Sequence, residues 1–241
     1  MMRILLIPFI ILQLASSCKK EAEPHYVSNP VTPPVAADTT TLKTYLALGD
    51  SYTIGQSVAI ADRFPVQTVE YLGIGGIKFS DPEIIAQTGW TTGDLLSRLS
   101  SAAPIKPSYD IVTLLIGVNN QYQHRSPQEY TDQFSTLLIK SIQYAGNKKT
   151  RVFVLSIPDY SVTPYASGSD KASIAREIDS FNVINKTIST QMAVNYVDIT
   201  PASRLAANDR TLIATDGLHP SGLQYKLWAE VFVPVIKKAL Q

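Results

Sequence analysis

The chain has 241 residues, 45% hydrophobic and 17% charged, with 12 Gly and 15 Pro; this composition excludes collagen-like, coiled-coil and fully disordered classes. A formal net charge of +1, from 21 basic and 20 acidic residues, excludes a broad electrostatic footprint for nucleic acid. One cysteine, Cys18, allows no intrachain disulfide and no Cys-based zinc cluster, and three histidines (His25, His124 and His219) are the whole supply for histidine chemistry.

Residues 1–17 read as an export signal, with Arg3 ahead of an apolar run from Ile4 to Ala15. That run is shorter than the ~20 residues a membrane span needs. Ala15-Ser16-Ser17 then lead to Cys18. This segment resembles the lipobox of bacterial lipoproteins, although the usual Leu position is held by Ala15, with Leu14 one residue further back. The resemblance implies lipidation at Cys18 and an exported protein anchored in the outer membrane, facing the periplasm or the surface. The plainer alternative is a secretory signal followed by an incidental cysteine. Lys19-Lys20-Glu21-Ala22-Glu23 is similar to the surface-export tag of some Bacteroidota lipoproteins and reads equally well as a solvated charge run. Residues 18–42, with Pro24, Pro30, Pro33, Pro34 and Thr39-Thr40-Thr41, form a linker. Fully extended as polyproline it spans about 75 Å, at ~3.1 Å per residue. His25 falls in this linker, outside any expected site.

From residue 43 to 241 apolar runs alternate with helical patterns. Expected strands are Tyr45–Leu48, Ile84–Ala86, Ile111–Ile116, Arg151–Ile157 and Tyr196–Ile199. Their lack of polar alternation suits strands buried on both faces, as in a parallel sheet. Expected helices are Phe64–Leu72, Thr92–Leu99, Pro127–Tyr144, Ser169–Met192 and Pro220–Ala239. The third opens on Ser126-Pro127-Gln128-Glu129, an N-cap with Pro in the first turn, and Gly146 or Asn147 ends it. Ile174, Ile178, Phe181, Ile184 and Ile188 mark the buried stripe of the fourth. Pro234 is expected to kink the fifth. Gly73-Ile74-Gly75-Gly76 lacks the Walker lysine and reads as a turn. Five strands alternating with five helices argue for one α/β domain with a central parallel sheet. Ligands of such sheets bind beyond the carboxyl ends of the strands.

Three motifs fall at those ends. Gly49-Asp50-Ser51-Tyr52 closes the first strand, Gly117-Val118-Asn119-Asn120 closes the third, and Thr215-Asp216-Gly217-Leu218-His219-Pro220 precedes the last helix. Each is weak alone: a strand-end serine is more often a turn or cap residue, and Asp-x-x-His is more often a cap beside a surface histidine. Their order sharpens the reading. Ser51, then Gly89, then Gly117-x-Asn119, then Asp216-x-x-His219 resembles the four landmark blocks of the SGNH, or GDSL, hydrolase family over about residues 43–239. Departures are Tyr52 in place of Leu, Asn120 in place of Asp, and Gln87-Thr88 where an Asn often precedes Gly89.

The resemblance implies a three-layer α/β/α sandwich of flavodoxin-like topology with a central five-stranded parallel sheet. It implies a serine esterase working through an acyl-enzyme, with no cofactor and no metal. Ser51 is then the nucleophile, His219 the base and Asp216 its orienter. The oxyanion hole is then the Ser51 and Gly89 backbone N–H groups with the Asn119 amide. Asp50, Trp90, Asn120 and Tyr122 are candidate substrate contacts, each with packing or solvation as the plain alternative. The same holds for His124, Arg125, Asp159 and Tyr160. Two substrate groups compete: short acyl or acetyl esters of glycans, and acyl chains of lipids in a lysophospholipase- or thioesterase-like reaction. A non-catalytic glycan-binding lipoprotein is the alternative from another class. Oligomeric state is open.

Overall fold

In the computed structural model residues 42–241 are described; the expected signal segment, Cys18, His25 and the linker as far as residue 41 lie outside the described residues. The chain order is β1 (Tyr45–Gly49), α1 (Ser51–Ile54), α2 (Phe64–Ile74), β2 (Glu83–Ala86), α3 (Thr92–Ser101), β3 (Ile111–Leu115), α4 (Val118–Tyr122), α5 (Pro127–Tyr144), β4 (Val152–Leu155), α6 (Lys171–Gln191), β5 (Asn195–Val197), α7 (Thr200–Arg204) and α8 (Gly222–Leu240). The strands form one parallel sheet in the order β2-β1-β3-β4-β5.

Burial separates the central strands from the edge strands. Every residue of β1, β3 and β4 is buried, which requires helices on both faces and accounts for the nearly continuous apolar runs. The edge strands β2 and β5, of 4 and 3 residues, are only partly buried. Helices α2 and α8 pack together, while α3, α5 and α6 pack in series. Phe153 of β4 meets Phe232 of α8 edge to face, with ring centroids 5.3 Å apart. These contacts build the three layers that the family resemblance implies.

Differences from the expected elements lie at their ends. β5 stops at Val197 because Asp198 turns the chain out of the sheet: its Oδ1 accepts from Ser156 Oγ at 2.9 Å and from the Thr200 amide at 3.2 Å. α8 begins at Gly222 rather than Pro220, because the Ser221 side chain caps it by accepting from the Gln224 amide. α6 begins after Asp170, whose carboxylate accepts from the Ser173 amide. Pro234 lies inside α8. Gly75 caps the end of α2, so the glycine-rich stretch is a helix terminus.

Three short helices have no counterpart among the expected elements: α1, α4 and α7, of 4, 5 and 5 residues. Two of them open directly after β1 and β3. The order 2-1-3-4-5 reverses direction between β1 and β3, so the carboxyl ends of those two strands flank the crevice where such sheets bind ligands.

Candidate active site

β1 delivers Ser51 to the crevice. Gly49 is obligatory there because a Cβ would collide with the Leu115 carbonyl of β3 and with Thr53. Asp50 then caps α1, accepting from the Tyr52 amide at 3.0 Å, and Ser51 becomes the first residue of the helix. A first-turn amide has no intrahelical acceptor. The Ser51 N–H accordingly has no internal partner among the described residues.

Asp50 is 1% exposed, and burial, partly offset by the Tyr52 amide, raises its carboxyl to about 7. Because the folded value lies above the unfolded value of ~3.9, the folded state binds the proton more tightly. Its contribution to stability is complete below about pH 4 and is lost as pH rises through 7. Asp50→Asn keeps a capping oxygen and has no proton to lose. Urea unfolding at pH 5 and pH 8 should show the wild type losing more stability than the variant over that interval, by on the order of a few kcal/mol. Equal losses would show that Asp50 is already ionised when buried.

The loop before α8 presents Asp216 and His219. It is closed by Ala214 N–H donating to the His219 carbonyl at 2.7 Å and by an antiparallel bridge between Ile213 and Pro220. Asp216 Oδ1 accepts from the Leu218 and His219 amides, each at 2.9 Å, and Oδ2 lies 2.7 Å from His219 Nδ1. Oδ2 also accepts from Ser57 Oγ at 2.6 Å. Burial alone would raise this carboxyl, but the Ser57 hydroxyl, the Leu218 amide and the ring and amide of His219 together hold it well below the ordinary carboxylate range. An ionised carboxylate can only accept. His219 Nδ1 therefore carries the proton, and Nε2 is left as the basic nitrogen. The ring is 8% exposed and rests on Tyr52, with centroids 5.3 Å apart. Tyr52 lies 6.4 Å from Trp228 in turn, so the base is seated on the aromatic core.

β3 and α4 supply Asn119. Its Nδ2 donates to the Trp90 carbonyl at 2.9 Å, which takes one of its two N–H bonds and fixes the amide. Gly89 adopts φ 85°, a conformation that disfavours side chains, and a Cβ there would meet open space. The glycine is thus required by backbone conformation rather than by crowding. Its amide has no internal acceptor among the described residues.

Ser51, Gly89, Asn119 and His219 line one cleft of about 480 Å³, open to solvent, whose wall is completed by Tyr122, Tyr160 and Tyr165. The Tyr122 and Tyr165 hydroxyls are 2.8 Å apart, and both rings pack against Tyr160. No hydrogen bond joins Ser51 to His219 among the described residues; bonds of this kind commonly tighten only when substrate is present.

Of the candidate substrate contacts, Tyr122 and Tyr160 line the cleft, and Asp50, Trp90 and Asn120 do not. Asp50 is consumed by its cap. The Trp90 ring is half-buried against the core, and its carbonyl holds Asn119. Asn120 is fully buried and clasps Thr92 at the start of α3: Oδ1 accepts from the Thr92 amide at 2.9 Å and Nδ2 donates to Thr92 Oγ1 at 2.7 Å. The Thr92 hydroxyl gives its own proton to Gln133 Oε1. Its partner at position 120 must therefore donate, which explains Asn where a carboxylate was the expected residue. Asp159 is held by Arg204 at 2.9 Å, and His124 and Arg125 are exposed outside the cleft. Ser57 and Tyr165 are partner and cleft residues that no motif indicated, and Thr88, Val118 and Leu218, which lie in or beside the motifs, line the cleft without having been singled out as site residues.

The GDSL-like lipase/acylhydrolase family model matches residues 47–227. No curated protein matches the sequence. Among solved structures, TesA is 17% identical, with a TM-score of 0.63, covering 82% of this chain and 99% of its own. A lipase/acylhydrolase from Enterococcus faecalis is 20% identical, with a TM-score of 0.62, covering 82% and 97%. A variant of an acetyl xylan esterase from Geobacillus stearothermophilus is 18% identical, with a TM-score of 0.61, covering 80% and 94%. At these identities the likeness is one of fold.

Proposed function

This chain belongs to the GDSL-like lipase/acylhydrolase family and is a hydrolase, and we propose that it is a serine esterase that removes short acyl or acetyl groups from glycans at the cell envelope. The observation that carries the reading is the ionised Asp216 carboxylate 2.7 Å from His219 Nδ1, on the same cleft as Ser51. In this mechanism Ser51 Oγ attacks the ester carbonyl while His219 Nε2 takes the hydroxyl proton. Asp216 stabilises the imidazolium. The carbonyl oxygen becomes an oxyanion facing the Ser51 and Gly89 amides and Asn119 Nδ2. His219 returns the proton to the departing alkoxide, leaving the acyl group on Ser51 Oγ. Water, deprotonated by His219, then attacks that ester; His219 passes the proton to Ser51 Oγ as the C–Oγ bond breaks, and the carboxylic acid is released.

The tyrosine wall supports a sugar-bearing alcohol. Tyr122 and Tyr165 are 51% and 47% exposed yet joined through their hydroxyls, so they offer flat apolar faces with polar rims, which suit a pyranose ring. The acetyl xylan esterase fold among the similar structures is consistent with this class. Placement at the envelope rests on the lipobox-like segment ending in Cys18. Radiolabelled palmitate should be incorporated by the wild type and not by Cys18→Ala; equal labelling would dismiss the anchor.

Hydrolysis of p-nitrophenyl esters from acetate to dodecanoate, together with acetate release from acetylated xylo-oligosaccharides, tests the substrate class. The expected result is a maximum at two to four acyl carbons and release of acetate from the oligosaccharide. An optimum at ten carbons or more transfers the assignment to lipid acyl chains. Glycan binding with no turnover of any ester would make the chain a binding module.

A further inference from the structure

The segment that follows the nucleophile carries two side chains whose bonds cross to the other two motifs. α1 ends at Gly55, and the Gln56 amide returns to the Ser51 carbonyl at 3.0 Å, so residues 55–57 are tied back onto the nucleophile's own turn. Gln56 Oε1 accepts from Thr88 Oγ1 at 2.7 Å, one residue before Gly89. Ser57 Oγ donates to Asp216 Oδ2 at 2.6 Å, across 159 residues of sequence. Both side chains are exposed, so each bond competes with water.

Ser57 has φ 66°, in the left-handed region that favours glycine and asparagine. A backbone cost at an exposed serine that touches the acid of the catalytic loop marks a position where conformation serves contact. The hydroxyl fills a specific vacancy. Asp216 Oδ1 is saturated by two backbone amides, whereas Oδ2 would otherwise hold the histidine ring alone. With Ser57 in place each oxygen accepts two bonds, so the carboxylate is fixed against rotation and stays ionised.

We propose that Gln56 and Ser57 form a positioning clamp, in which Ser57 fixes Asp216 beneath His219 and Gln56 fixes the Gly89 turn, both referred to the helix that bears Ser51. Neither residue touches the reacting atoms. The inference rests on the triad reading above and goes beyond it, because it assigns the relative placement of three sequence-distant blocks to one dipeptide.

Ser57→Gly is the informative variant, since it removes the hydroxyl and relieves the left-handed backbone. In the full chain kcat for p-nitrophenyl acetate should fall roughly tenfold, the scale of one exposed hydrogen bond to a charged group, with KM unchanged within about twofold. The melting temperature should hold within a few degrees. Ser57→Asn, which tolerates that φ and carries a donor, should recover much of the lost kcat. The downfield proton resonance of His219 Nδ1–H should move in Ser57→Gly and stay in place in Gln56→Ala. Wild-type kcat in Ser57→Gly, beside inactive Asp216→Ala and His219→Ala, would overturn the clamp and leave the triad standing. Full activity in Asp216→Ala or His219→Ala would remove the triad, and the clamp with it.

Discussion

Replacing Ser51 by Ala should lower kcat/KM for short esters by about ten-thousand- to million-fold, the range found when one member of such a triad is removed. The size follows from what the residue does. In the proposed mechanism Ser51 supplies the atom that forms the acyl-enzyme, so no other side chain on the cleft can stand in for it. His219→Ala should fall nearly as far, because an alcohol at neutral pH is a poor nucleophile without a base. The double variant should be little worse than the poorer single one, since the two residues act as a unit. Asp216 is held ionised well below the ordinary carboxylate range, so protonation of this carboxyl does not set the acid limb of the rate. Ser51 Oγ has no internal hydrogen bond among the described residues and the residue sits at a helix start, so the alanine variant should fold and melt like the wild type. Retention of more than about a tenth of the activity would assign the nucleophile elsewhere.

Much of this arrangement was readable from the chain alone, for physical reasons. β1, β3 and β4 are buried on both faces, so their sequences are almost wholly apolar, Thr113 of β3 being the polar exception, and stand out without an alignment. α5 announces itself by its cap: Ser126 accepts from the Glu129 amide as its spacing implies, and Gly146 and Asn147 take the positive φ that ends it. What escaped is short or non-local. α1, α4 and α7 are too brief for a period of 3.6 residues to register, yet α1 starts at Ser51 and α4 carries Asn119. Asn120 stood in the sequence as a departure from a family motif and a candidate substrate contact. Its identity is set by the direction of one buried hydroxyl proton, that of Thr92, which depends on Gln133 far along the chain. Ser57 carries no motif at all. Its partner is 159 residues away, and its backbone conformation is invisible in a residue type that seldom adopts it.

Asn119→Ala should cost about 100- to 1000-fold in kcat while KM changes little, because in the proposed mechanism the lost hydrogen bond forms to charge that exists only in the transition state. The Trp90 carbonyl already takes one N–H of Asn119 at 2.9 Å. The amide is therefore oriented before substrate arrives, and little reorganisation opposes donation of its second N–H to the oxyanion. Asn119→Asp should be more damaging than Asn119→Ala. It replaces a donor by an acceptor, sets a carboxylate against the Trp90 carbonyl oxygen, and puts negative charge where negative charge develops. The contrast with Asn120, its neighbour on the same short helix, is the internal control. Asn120 is fully buried and, among the described residues, its side chain bonds only to Thr92, so Asn120→Ala should lower the melting temperature more than the intrinsic rate of the molecules that remain folded. Measuring kcat, KM and thermal melting for all three variants separates the two neighbours. Equal rate losses at 119 and 120 would mean that the amide of Asn119 holds the loop rather than the oxyanion.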